Sequence, residues 1–97
     1  MTAHQKLAAP VVQVTLLTKT ECALCEHAKT VLAAVGTDHA LEVVEVDLDS
    51  KVGSALAVDN GVLFAPGVIL DGKPFSYGRL SERKLRRTLE QLRKESG

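Results

Sequence analysis

Cys22 and Cys25 are the only cysteines in the 97-residue chain, and only Ala23 and Leu24 separate them. A pair this close can do four things: brace the chain as a disulfide, pack as two reduced core thiols, supply half a zinc site, or exchange a disulfide with another molecule. A brace gains most of its effect from the loop it closes, and this loop is minimal. Structural zinc takes four ligands. There is no second C-x-x-C, and His4, His27 and His39 show no ligand spacing, so no metal is expected. Two core thiols fit poorly with a position ahead of the apolar stripe that follows, which argues for exposure of Cys22. Thiol exchange needs one sulfur that is reachable and ionised, and a second close enough to displace whatever the first captures.

The surrounding residues meet those needs. Val11-Val12-Gln13-Val14-Thr15-Leu16-Leu17 is β-branched and apolar on both faces, which reads as a central, doubly covered strand. Thr18-Lys19-Thr20-Glu21 is a polar turn. From Cys22 the period changes: Leu24, Ala28, Val31, Leu32 and Val35 recur at three- and four-residue steps, predicting a helix over 22–35 with Gly36 as a left-handed cap. A helix start offers unpaired N–H groups and partial positive charge. A thiolate at Cys22 would accept those N–H groups, lowering its pKa below the ~8.5 of a free thiol. Cys25 lies one turn on. Cys22 is therefore assigned as nucleophile and Cys25 as resolving thiol.

The expected depression is modest. The helix end contributes about 0.3–1 kcal/mol. Glu21, at roughly 5 Å in a water-like medium, costs a thiolate about 0.8 kcal/mol. Lys19 offsets part of that, and the balance predicts a reductant-type poise rather than a strong oxidase. His27 reads as a solvated helix residue.

The remaining elements complete one α/β domain over 11–97, preceded by a flexible segment at 1–10. Leu41-Glu42-Val43-Val44-Glu45-Val46-Asp47-Leu48 is a second strand with one wetter side or edge. The crossover between the two strands is long enough for a right-handed parallel unit. Residues 50–60 form a short helix with Val52, Ala55, Leu56 and Val58 inward, which Gly53 weakens by about 1 kcal/mol and Asn60-Gly61 closes. Gly67-Val68-Ile69-Leu70 is a third strand, Asp71-Gly72 a tight hairpin, and Pro74-Phe75-Ser76-Tyr77 a fourth strand that starts at Pro74 or lies at an edge. Alternation places Phe75 and Tyr77 on one face. Ser81 caps the last helix, Leu80 staples onto Leu85, and Leu85, Leu89 and Leu92 form its buried stripe. The order is β-α-β-α-β-β-α, a four-stranded mixed sheet flanked by helices. Pro66, just before the third strand, has two readings from its residues alone: a strand-opening proline, or a cis Ala65-Pro66 bond.

Composition narrows the function classes. Twelve basic and twelve acidic side chains cancel, which gives no electrostatic case for nucleic acid or an anionic membrane. No apolar run reaches the roughly 20 residues of a spanning helix, and residues 1–10 lack a secretory apolar core. A cytoplasmic monomer is expected.

Four pieces together resemble the thioredoxin fold, and its glutaredoxin-like branch in particular: Cys22 to Cys25 after the first strand, Ala65-Pro66 before the third, the Asp71-Gly72 hairpin and the closing basic helix. The run from Thr20 to Lys29 is similar to the C-x-L-C-x-x-A-K pattern of small bacterial glutaredoxin-like proteins, and Gly78-Arg79-Leu80 fits the same group. The resemblance implies a dithiol–disulfide oxidoreductase without a bound cofactor. It also implies a cis Pro66 facing the cysteines, with the backbone beside it pairing with an extended thiol substrate. The partner would be a disulfide-bearing protein or a low-molecular-weight thiol. Phe64 would help wall the thiol groove, and Lys19 matches a basic residue that meets a glutathione carboxylate. Tryptophan is absent, Ala23-Leu24 stands between the cysteines, and Phe64-Ala65-Pro66 stands where glutathione binders carry Thr-Val-Pro. Glutathione is accordingly carried only as a candidate co-substrate.

Seven of the twelve basic residues lie between Arg79 and Lys94 (Arg79, Arg83, Lys84, Arg86, Arg87, Arg93, Lys94). They read as a solvated helix face or as a dock for an acidic partner. Two rival functions remain: a non-catalytic thioredoxin-fold interaction module, and a Cu(I) carrier built on soft thiolates. Carriers of that kind place Met just before the pair and end on a strand, whereas here Lys19-Thr20-Glu21 precedes it and a helix ends the chain.

Overall fold

The computed structural model of the protein describes residues 11–96, with side chains over 11–95; the segment expected to be flexible, 1–10, lies outside the described residues. The elements run β1 (Val12–Thr18), α1 (Ala23–Val35), β2 (Leu41–Asp47), α2 (Lys51–Asn60), β3 (Gly67–Leu70), β4 (Lys73–Tyr77) and α3 (Glu82–Ser96). The sheet order is β2-β1-β3-β4, with β1 parallel to β2 and antiparallel to β3, and β4 antiparallel to β3. This is the expected four-stranded mixed sheet.

β1 is central, and its two faces feed two cores. Val12, Val14 and Leu16 join Val68 and Leu70 beneath Ala28, Val31, Leu32 and Val35 of α1 and Leu85 and Leu89 of α3. Leu17 joins Ile69 on the other face, with Ala57 of α2 and Val62. Period-2 alternation on β1 and β3 therefore divides one run of apolar residues between two helical layers.

The Asp71-Gly72 hairpin forms as expected, with both residues in the left-handed region (φ 49° and 81°), as a two-residue turn of matching twist requires. Gln13 secures it: its N–H donates to Asp71 Oδ1 at 2.8 Å, and its C=O accepts from the Asp71 N–H at 2.8 Å. On α3, Ser81 Oγ accepts the Lys84 N–H at 3.2 Å, and Leu80 and Leu85 are both fully buried.

Three expectations are corrected. Gly36 is right-handed (φ −63°), not left-handed. The last carbonyls of α1 are met without a left-handed residue: Gly36 N–H donates to Leu32 O, Thr37 Oγ1 to Ala34 O, and His39 N–H to Val35 O. The inward face of α2 is Gly53 and Ala57 with Leu56 half-buried, while Val52, Ala55 and Val58 face solvent. The cause is close approach: a Cβ on Gly53 would stand 1.9 Å from the Asp47 carbonyl oxygen. Phe75 and Tyr77 do not share a face, because the β3–β4 register slips between Val68 and Ile69. Phe75 packs on the larger core. Tyr77 stands opposite Gly67, whose Cβ would point at Val62 and Leu17 of the smaller one.

The basic residues of α3 are exposed apart from the half-buried Arg86, as the solvated-face reading expects, but two of them have partners within the chain. Arg86 bonds Asp38 Oδ2 at 2.8 Å and Glu82 Oε2 at 2.9 Å, and these partners, Asp38 first, raise its pKa. Arg93 donates to Asp38 O and to Nδ1 of the buried His39. A guanidinium only donates, so His39 Nδ1 is the acceptor and the ring carries its proton on Nε2, 3.5 Å from Glu90.

Two stability measurements follow. Gly53→Ala gains helix propensity of about 1 kcal/mol but drives a methyl into backbone. Overpacking of about 1–3 kcal/mol or more prevails, so urea unfolding is expected to show net destabilisation. Leu85→Ala, at the centre of the larger core, is expected to lose about 2–5 kcal/mol by the same measurement.

Candidate thiol site

The polar turn after β1 ends at Glu21, a non-glycine residue at φ 51°. Holding it there costs on the order of 1–2 kcal/mol, and the turn delivers Cys22 to the N-cap of α1. Cys22 is extended (φ −120°, ψ 105°), and its Sγ accepts the Cys25 N–H at 3.1 Å. Its carbonyl accepts the first helical bonds, from Cys25 N–H and Glu26 N–H, both at 3.1 Å. The sulfur thus occupies the place of a capping Ser or Asp oxygen, where orphan donors and the helix dipole favour negative charge. The expected first-turn placement holds, with Cys22 as cap.

The two sulfurs are joined in a disulfide, with Cα atoms 5.2 Å apart. Their environments differ: Cys25 is 1 % exposed, while Cys22 is half-buried.

The second strand of the site is β3. Leu17 pairs with Gly67, so Pro66 sits at the end of the sheet where β1 releases the chain toward Cys22. Ala65-Pro66 is cis, and Pro66 is fully buried. Pro66 O accepts the Gly78 N–H at 2.8 Å. Among the described residues, neither the N–H nor the C=O of Ala65 takes part in a backbone hydrogen bond. Phe64 is 53 % exposed and meets Tyr77 edge-on, with centroids 5.0 Å apart and planes at 85°.

Lys19, Cys22, Phe64, Ala65 and Pro66 are therefore gathered at one end of the sheet. The hydrogen bonds and ion pairs of the described residues link neither Lys19 nor Phe64 to the sulfurs. Lys19 Nζ lies 3.8 Å from Asp49 Oδ2, an exposed and weak pair. His27, expected to be solvated, is half-buried, and its Nδ1 is buried with no partner among the described residues. Lys29 bridges Glu26 and Glu45, tying α1 to β2, and hydrogen bonds to both, Glu26 first, raise its pKa.

Sequence reasoning named Tyr77 and Gly78 but did not place either beside Phe64. Gly78 has φ 80°, and a Cβ there would stand 3.1 Å from Phe64 Cε1. A glycine closing a predicted strand was the available signal for it. The slip in register hid Tyr77. Among the described residues, no group of three or more His, Cys, Asp or Glu side chains is placed to hold a metal, and no helix is long and apolar enough to cross a membrane.

A search of curated proteins returns no match. Among solved structures, a mutant thioredoxin from Halobacterium salinarum NRC-1 is similar over 84 % of this chain and 74 % of its own, with a TM-score of 0.66 and 23 % identity. That likeness establishes the fold as thioredoxin-like. The glutaredoxin-like domain matches residues 13–90, almost all of the described chain, and the protein belongs to that glutaredoxin-like family.

Proposed function

We propose that the protein is a small dithiol–disulfide oxidoreductase that reduces disulfides by thiol exchange, with Cys22 as nucleophile and Cys25 as resolving thiol. The observation that carries this reading is the Cys22 sulfur, half-exposed at the helix cap and accepting the Cys25 N–H, with Cys25 buried one turn behind it.

The chemistry balances as follows. The Cys22 thiolate attacks one sulfur of the substrate disulfide; that S–S bond breaks, and the departing sulfur takes a proton. Cys25 then loses its proton and attacks Cys22 Sγ. The Cys22–Cys25 bond forms, the mixed disulfide breaks, and the second substrate sulfur leaves and is protonated. The substrate gains two electrons and two protons, and an external thiol reductant returns them to the protein. The free backbone groups of Ala65 beside Pro66 suit an extended substrate, with Phe64 as a wall and Lys19 at the rim. No bound cofactor enters the cycle, glutathione is the candidate co-substrate, and a reducing compartment such as the cytoplasm suits it.

The test is reduction of insulin or hydroxyethyl disulfide driven by dithiothreitol. Wild type is expected to turn over, Cys22→Ser to lose at least about 100-fold, and Cys25→Ser to accumulate a mixed disulfide visible by mass spectrometry. Tight Cu(I) binding without exchange would instead establish a metal carrier, and inert cysteines an interaction module. In the reduced protein, brief iodoacetamide treatment is expected to label Cys22 and spare Cys25, because only the former is reachable.

A further inference from the structure

The basic residues around α3 divide into two sets. Arg86 and Arg93 turn toward Asp38 and His39 and fasten the helix to the α1–β2 loop. Arg79, Arg83, Lys84, Arg87 and Lys94 are exposed and form no ion pair among the described residues. Arg83, Lys84, Arg87 and Lys94, with Gln91, fall within a sector of about 100° of the helical wheel, opposite the buried Leu85 and Leu89. Glu90 borders this sector but faces His39, and Glu95 lies beyond it in the last turn. Arg83 and Arg87 are four residues apart, a like-charge spacing that weakens a helix. Several of the acids that balance the chain lie away from it, with Glu42, Glu45 and Asp47 on β2 and Asp49 just after.

This face begins at the thiol end of the molecule. Tyr77 pairs with Gly67, and Gly78 N–H bonds to Pro66 O, so Arg79 leaves the sheet beside the loop that precedes β3. From there α3 carries the charges away from the sulfurs. From Arg83 to Lys94 the rise is about 16 Å, long enough for a short peptide segment.

We infer that the outward face of α3 docks an acidic segment of the disulfide-bearing substrate protein, an inference that rests on the thiol-exchange reading. Charge complementarity selects the occupant: four unneutralised cations aligned along one helix, with Arg79 just ahead of it, in a chain of zero net charge. Nucleic acid is disfavoured because residues 79–95 contain no aromatic side chain for base stacking. An anionic membrane is disfavoured because the leucines of α3 face the core and none lies in the basic sector to insert.

The test compares two disulfide-linked peptides, one with an Asp/Glu tail and one with a Ser/Gly tail, reduced by the full chain with dithiothreitol at about 50 and 300 mM salt. At low salt the acidic substrate is expected to show about tenfold higher kcat/KM. High salt and the variant Arg83→Gln/Lys84→Gln/Arg87→Gln are each expected to abolish that preference, while the Ser/Gly substrate is unchanged. Equal rates for the two tails at low salt, or a preference that survives in the variant, overturn the inference. If neither peptide is reduced, the thiol-exchange reading fails, and anisotropy of a labelled acidic tail decides the dock by itself. Binding by wild type about tenfold tighter than by the variant upholds it, and equal binding overturns it. Tighter binding of an oligonucleotide or of phosphatidylserine vesicles than of the acidic tail also overturns it.

Discussion

The sulfur of Cys22 caps a helix, and the rest of the site is organised around that bond. An N-cap must be extended while its carbonyl starts the helical ladder, so the chain has to turn sharply between β1 and α1. Glu21 makes the turn in the left-handed region. Once the cap is set, helical geometry places Cys25 one turn inward, where α1 meets the core. A single constraint thus assigns different environments to two chemically identical side chains.

The cap holds its place because β1 is enclosed. It pairs with β2 on one side and β3 on the other, and both of its faces are covered. The same pairing brings Gly67 opposite Leu17 and so delivers Pro66 to the end of the sheet where Cys22 emerges. Close packing leaves little freedom here. A Cβ on Gly67 would meet Val62 Cγ1 at 2.7 Å, and one on Gly53 would enter the Asp47 backbone. Both glycines mark approaches of chain to chain that a larger residue would forbid.

Electrostatics follows the same economy of position. Arg86 and Arg93 are committed to partners within the chain, Asp38, Glu82 and His39, and hold α3 against the end of α1. Lys29 does the equivalent between α1 and β2. With those cations committed, the outward positive charge of α3 is carried by Arg83, Lys84, Arg87 and Lys94, with Arg79 just ahead of the helix.

What the amino-acid sequence determined by itself was local: the C-x-x-C at a helix start, the order of elements, the Asp71-Gly72 turn, and the Ser81 cap with its Leu80 staple. Each depends on neighbours a few residues apart, so spacing and residue type suffice. The inward face of α2 was misread because Gly53 answers to the distant Asp47 carbonyl rather than to its own periodicity. Phe75 and Tyr77 were misplaced because the slip between β3 and β4 is a property of a strand pair, invisible in either strand alone. The division of the α3 cations, the burial of His27 Nδ1 and the meeting of Phe64 with Tyr77 were likewise decided by contacts between segments far apart in the chain. Period and propensity report what a segment prefers; only the packed structure selects which neighbour satisfies that preference.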